Sequence, residues 1–253
     1  MRLLKSSLSS VIYYGSRMVG RENRGVRILC YHNVNDKDKT YTTVSVSNFK
    51  AQMEFLRQNG YQSISLNETL AASNGSFSSK RFVITFDDGW RDNFDHAFPI
   101  LKECGFSVTV FLIAGRIGEP GYLNVEQIKA MDNDGIRFGS HTLSHPNLKL
   151  LTKEQKWNEI FGSRKKLEEK FRFSVDFFCY PYGWYDHESI QAVQQAGYLG
   201  ACSNRPGSNF KMNPYLLNRT EIGAGDTLFD FQKKLAGSYD LLHQGLHWFR
   251  GRP

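Results

Sequence analysis

The chain has 253 residues, 40% of them hydrophobic, which is enough to bury one sizeable core and points to a single main domain. Its formal net charge of +7 and sequence pI of about 9.2 favour an anionic partner such as a membrane surface, a nucleic acid or an acidic glycan. With no long block of like charge, no zinc-finger cysteine spacing and no basic helix interleaved with stacking aromatics, nucleic acid is the weakest of these and is not expected as a partner.

Leu4, Leu8, Val11 and Ile12 recur at helical spacing beside Arg2, Lys5 and Arg17, so residues 1–24 read as a basic amphipathic helix. Serines and tyrosines interrupt its apolar stretch before signal-peptide length, and no secretion signal is expected. No window reaches the roughly 18 apolar residues of a membrane-spanning helix.

From here short apolar strands alternate with helical patterns over 25–225, as expected of βαβ units around a parallel sheet. Residues 26–31 form the first strand. Ser47 is placed to cap a helix that carries Phe49, Met53 and Leu56 on one face and stops at Gly60. The β-rich run 81–86 ends at Asp87-Asp88-Gly89, and a helix with Phe98 and Leu101 then runs to Gly105.

A strand over 107–113 precedes a helix opened by Asn124, lined by Ile128 and Met131 and closed at Asn133-Asp134-Gly135. The strand 136–140 delivers His141 into a loop. Thr152 and Gln155 form a capping box for a long charged helix, and the strand 175–180 ends at Pro181-Tyr182-Gly183. A helix over 187–197 and strands over 199–202 and 216–222 complete a (β/α) barrel of the α/β class, TIM-like with about seven strands.

Residues 226–253 read as a C-terminal helical segment, basic and amphipathic, with Leu242, Leu246 and Phe249 beside His243, His247, Arg250 and Arg252. Both terminal helices fit packing on the barrel or peripheral contact with an anionic membrane. Cys30, Cys104, Cys179 and Cys202 form no C-x-x-C pair and read as buried free thiols in a reducing compartment.

Working residues of such barrels stand at the C-terminal ends of the strands. Three polar clusters fall there: Asp87-Asp88, His141 with His145, and Tyr180-Pro181-Tyr182. Two imidazoles and a carboxylate make a first shell for zinc or a similar divalent metal with an open position. Adjacent carboxylates repel one another unless a cation or a proton task divides them. His243 and His247 share the i, i+4 ligand spacing, but no acidic residue accompanies them, and they read as the polar edge of a surface helix.

Thr85-Phe86-Asp87-Asp88-Gly89, Ser140-His141-Thr142-Leu143-Ser144-His145-Pro146 and Tyr180-Pro181-Tyr182-Gly183 together resemble the first three motifs of the polysaccharide deacetylase family, also called the NodB-homology or carbohydrate esterase family four proteins. The likeness spans about residues 25 to 220. It implies that Asp88, His141 and His145 bind one divalent metal ion, of zinc type although other divalent ions suit the same ligands. Asp87 stays free as general base for a water activated by that metal, and the metal and a backbone N–H near Tyr182 hold the oxyanion.

Two departures stand out. The third motif usually begins with an arginine two residues before the proline, where this chain has Cys179, so another partner must orient Asp87. The fifth motif, Leu-x-x-His, has no good copy near the C-terminus. Leu29-Cys30-Tyr31-His32 supplies one at the end of the first strand, which looks like the circularly permuted branch that deacetylates poly-N-acetylglucosamine and makes His32 the general acid.

The resemblance implies a metal-dependent N-deacetylase of N-acetylated sugars in a glycan or its precursor; the interrupted N-terminal apolar stretch makes the expected location cytoplasmic, with peripheral contact at the inner face of the membrane as the option the basic terminal helices add. A metal-dependent amidase on a non-sugar bond, and an inactive glycan-binding or scaffold protein, are the alternatives. Trp90, Tyr122, Trp184 and Tyr185 fall in post-strand loops, where they suit either stacking on sugar rings or local packing.

Overall fold

The chain runs through β1 (Arg27–Tyr31), the two-residue strands β2 (Asn33–Val34) and β3 (Thr43–Val44), α1 (Val46–Gln58), β4 (Gln62–Ser63), α2 (Leu66–Ala71) and β5 (Arg81–Phe86). It continues with a π-helical turn (Asn93–Ala97), α3 (Phe98–Cys104), β6 (Val108–Leu112), α4 (Val125–Asn133), β7 (Arg137–Ser140) and α5 (Lys153–Phe171). Then follow β8 (Phe177–Cys179), a 3-10 turn (Pro181–Gly183), α6 (His187–Gln195), β9 (Gly200–Cys202), β10 (Thr220–Glu221) and α7 (Leu228–Leu235). This computed structural model describes Ser10 and residues 25–71, 80–210 and 212–240. The expected N-terminal helix apart from Ser10, and His243, His247 and the apolar stripe near them, lie outside the described residues. No helix among the described residues is long and apolar enough to cross a membrane.

Eight of the strands form one curled parallel sheet in the order β10-β1-β5-β6-β7-β8-β9, with β4 added to the start of β5, and β2 pairs with β3 in a separate two-stranded sheet. The seven-strand path agrees with the expected barrel. Residues 214–221 join its two edges. On one side Ala201 N–H donates to Pro214 O at 2.8 Å and Ser203 N–H to Leu217 O at 2.9 Å. On the other, Leu29 pairs with Thr220. The last strand is therefore much shorter than the expected 216–222, because the chain there switches partners from β9 to β1 and only Thr220–Glu221 holds a ladder.

Period-two alternation sorts each strand's side chains between two faces. Leu29, Tyr31, Phe82, Ile84, Phe86, Val110 and Leu112 point outward into the main core with Phe49, Met53, Ile128 and Ile160 from the covering helices. Ile28, Val83, Phe111, Phe177, Cys179, Cys202 and Leu217 fill the inside of the curl. Helices start where side chains cap them: Asn124 and Thr152 make capping boxes with Gln127 and Gln155. For α1 the cap is Ser45 and not Ser47, since Ser45 Oγ accepts from Asn48 N–H and Ser47 already lies within the first turn. α7 docks on the barrel through Phe231, while buried Arg27 donates to Leu235 O and both carboxylate oxygens of Asp240.

Gly139 on β7 shows how tightly the sheet is filled. A Cβ there would stand 2.5 Å from the Phe111 ring and 2.8 Å from Phe177 O. All four cysteines are free thiols, with Cys30, Cys179 and Cys202 buried.

Candidate metal centre and catalytic site

Strand alternation places Val83 and Asp87 on the inner face and turns Asp88 towards β6 and β7. Asp88 adopts a left-handed backbone (φ 72°), and so do Thr142, His145 and Tyr182. These are four of the five non-glycine residues with positive φ among the described residues; the fifth, Arg172, is a helix C-cap. Left-handed backbone at non-glycine residues costs energy and persists where surrounding contacts enforce it, so its concentration here marks the constrained part of the molecule.

The contacts that enforce it can be named. Glu159 of α5 accepts from the N–H groups of Leu143 and Ser144, both at 2.9 Å, and from Ser144 Oγ at 2.6 Å. Thr142 Oγ1 accepts from His145 N–H at 2.9 Å. The loop is thereby folded back so that His145 Nε2 lies 3.1 Å from His141 Nε2, and Asp88 Oδ1 lies 3.5 Å from His145 Nε2 and 3.6 Å from His141 Nε2.

Three ligand atoms bonded to one tetrahedral ion at about 2.0–2.2 Å would be spaced by roughly 3.3–3.5 Å, so this N,N,O set fits a divalent cation. The tautomer agrees. His141 Nδ1 lies 2.7 Å from Cys179 O, a group that can only accept, so Nδ1 carries the proton and Nε2 presents its lone pair to the cluster. Burial holds His145 down at about 4, so its imidazole is neutral and ligand-ready at neutral pH. Trp90 Nε1 donates to Asp88 Oδ2 at 3.0 Å, leaving Oδ1 towards the histidines, and the indole stacks on Tyr122 at 4.5 Å.

Asp87 lies within the curl, 1% exposed. Arg219, 2% exposed, donates Nη1–H to Asp87 Oδ1 and Nη2–H to Oδ2, both at 2.7 Å. Burial pushes the Asp87 carboxyl up, but the charge and hydrogen bonds of Arg219 outweigh it and hold the group well below the usual carboxylate range. Asp87 Oδ2 also faces Cys179 Sγ at 3.5 Å, Cys30 Sγ at 3.6 Å and His32 Nε2 at 4.0 Å. Oxygen, nitrogen and sulfur atoms of Asp87, His141 and Cys179 fall within 4.8 Å of one another, so the Asp87 carboxylate adjoins the histidine cluster.

His32 therefore stands beside Asp87 and outside the N,N,O set, its Nδ1 buried without a hydrogen-bond partner among the described residues. Asn93 Nδ2 donates to His32 O at 2.8 Å and fixes the backbone that carries the ring. The three third-motif residues separate. Tyr180 and Pro181 are buried, the Tyr180 ring against Phe178 and Tyr185, whereas Tyr182 is 53% exposed with its ring 4.5 Å from that of His145. Of the loop aromatics, Tyr185 is a packing residue, and Trp184 lies beneath Lys149 Nζ at 5.7 Å.

A hollow of about 720 Å³ lies away from this site, lined by Ser107, Thr109, Arg137, Arg172 and Asp176 near the strands' N-terminal ends.

Arg219 is the partner of Asp87 that the sequence reading lacked. A signal for it was present: it follows Leu217 by two residues in a run read as strand, so it shares the inward face, and a buried guanidinium needs a carboxylate.

Comparison with known proteins agrees with the geometry. The family profile named polysaccharide deacetylase matches residues 74–201. YxkH of Bacillus subtilis (strain 168), placed in the same family by its name, is 33% identical over 201 residues, covering 78% of this chain and 71% of its own. The poly-beta-1,6-N-acetyl-D-glucosamine N-deacetylase of Staphylococcus aureus (strain MSSA476) is 27% identical over 209 residues, covering 77% of this chain and 72% of its own. Among solved structures, the Streptococcus pyogenes deacetylase PplD in complex with acetate shares the fold with a TM-score of 0.76, over 83% of this chain and 98% of that one, at 23% identity. A profile match across half the chain, and a relative one-third identical over most of it, establish that the chain belongs to the polysaccharide deacetylase family of hydrolases.

Proposed function

We propose that this enzyme hydrolyses the acetamide of N-acetylglucosamine units in a polysaccharide, releasing acetate and leaving the free amine. The observation that carries the reading is the pairing of two carboxylates with different tasks on consecutive residues. Asp88 converges with His141 and His145 on one point, while Asp87 is held ionised beside them by Arg219. The substrate class follows the Staphylococcus aureus relative, whose name gives a poly-N-acetylglucosamine.

Asp88 Oδ1, His141 Nε2 and His145 Nε2 would hold a divalent ion, and zinc suits that N,N,O set. When bound, the ion supplies Lewis-acid polarisation of the carbonyl and acidifies water. Asp87 accepts the proton of the attacking water through Oδ2, the oxygen that also faces His32. As the tetrahedral carbon collapses and the C–N bond breaks, His32 Nε2 delivers a proton to the departing nitrogen. Tyr182, exposed at the rim beside His145, contributes its backbone N–H to the developing oxyanion and its ring to the sugar.

The test is acetate release from N-acetylglucosamine oligomers by the purified protein, before and after chelation and metal restoration. Metal-dependent release supports the reading. Metal uptake without release from any sugar, but with hydrolysis of a non-sugar amide, would replace it.

A further inference from the structure

Asp87 carries an orientation problem that its own backbone does not solve. Its carboxylate sits at the end of β5 with two thiols against Oδ2, and a thiol is a weak donor that fixes no plane. Arg219 does fix it. Its two terminal nitrogens meet the two carboxylate oxygens at 2.7 Å each, the fork-to-fork geometry that sets both position and plane. The fork is itself held. Arg219 Nε donates to Ser203 O at 2.9 Å, Nη1 lies 3.3 Å from Thr85 Oγ1, and Nη2 donates to Asn204 Oδ1 at 2.5 Å. Asn204 in turn packs on Gly183 of the third motif, where a Cβ would come within 2.7 Å of the Asn204 Cβ.

We infer that Arg219, carried by the segment that closes the barrel, is the positioning residue that aims the Asp87 carboxylate at the reacting water, and that Asn204 holds Arg219 in register. Arg219 is buried beneath Asp87 and has no path to substrate, so its effect falls on turnover and not on substrate affinity. The inference rests on the deacetylase reading, and one arm of its test is independent of that reading.

The test compares Arg219→Lys, Asn204→Ala, Arg219→Cys and the double variant Arg219→Cys/Cys179→Arg. Cys179 Sγ lies 3.1 Å from Arg219 Nη2, so an arginine at 179 would grow into the space that Arg219→Cys vacates. Lysine keeps the charge but has no fork. Its kcat should fall by about 10- to 100-fold, with KM and metal stoichiometry unchanged, as expected of a reacting group misplaced by a fraction of an ångström to an ångström. Asn204→Ala should lose about 3- to 10-fold in kcat alone. The double variant should recover at least about tenfold over Arg219→Cys, which a merely structural role would not produce.

The independent arm is the crystal structure of Arg219→Lys, in which the Asp87 carboxylate plane should rotate; this reads positioning even if no sugar is turned over. An unrotated plane, wild-type kcat in folded Arg219→Lys, or a KM effect with kcat intact would overturn the inference. Should Arg219→Lys fail to fold, wild-type kcat in Asn204→Ala overturns it. A wild-type protein that releases no acetate, with the plane rotated in Arg219→Lys, would instead sink the deacetylase reading and leave the positioning role standing.

Discussion

Trp90 donates its indole N–H to Oδ2 of Asp88 at 3.0 Å, so that the carboxylate offers Oδ1 alone to the two histidines. Outer partners of this kind fix which atom of a ligand is presented and typically change metal affinity by about 10- to 100-fold when removed. Trp90→Phe keeps an aromatic ring against Tyr122 but deletes the donor. Its zinc affinity, measured by competition with a chromogenic chelator, should fall within that range; unchanged affinity would mean that the bond does not shape the site.

The two neighbouring aspartates should behave differently under the same substitution. Asp88→Asn, like His141→Ala, should lose bound metal, because each supplies one of three converging ligand atoms. Asp87→Asn should keep one metal per chain and lose about 10²–10⁴-fold in kcat, the usual share of a positioned general base. Metal analysis beside kinetics separates the two. Metal loss in Asp87→Asn would reassign that residue as a ligand.

His32 stands 4.0 Å from Asp87 and outside the N,N,O set. His32→Ala should therefore lower turnover by about 10²-fold or more with metal content intact. The loss should shrink on a substrate whose leaving group needs no proton, such as an activated acetate ester. An equal loss on both substrates would contradict its role as acid.

The same carboxylate gives a pH signature in stability. The Asp87 carboxyl lies below its ordinary value of 3.8 in the fold, because Arg219 outweighs burial. A depressed folded pKa means that the stabilisation is complete above the ordinary range and is lost as pH falls through the folded value. The urea-unfolding difference between the wild type and Asp87→Asn should stay flat from pH 7 to about 5 and shrink only below about 4. Shrinkage between pH 7 and 5 would show that burial prevails over Arg219.

Much of this was legible in the sequence where one pattern fixed one answer. The capping boxes at Asn124 and Thr152, the strand ending in Asp87-Asp88 and the alternation of strands with helices all reappear in the fold. The first cap was misplaced by two residues, since Ser45 and Ser47 are chemically equivalent and only the backbone decides which lies outside the helix. The last strand was read too long, because a hydrophobic run cannot show that its chain changes partners midway. Arg219 escaped for a related reason. Its pairing with Asp87 spans 132 residues, so the inward register it shares with Leu217 signals a buried guanidinium but not which carboxylate it meets when the barrel closes.

The interior can be tested without reference to chemistry. Gly139→Ala would press a methyl group into the Phe111 ring and Phe177 O. It should destabilise the fold by about 1–3 kcal/mol, as overpacking does. Chemical denaturation checks it, and a neutral result would show that β6 and β8 yield more readily than their burial implies.

The most direct measurement is acetate release from N-acetylglucosamine oligomers by the metal-stripped, metal-restored and Asp87→Asn proteins side by side. The account predicts release by the restored enzyme, almost none after stripping, and almost none from Asp87→Asn although it binds metal. Release that survives complete removal of metal, or that persists in Asp87→Asn, would contradict it.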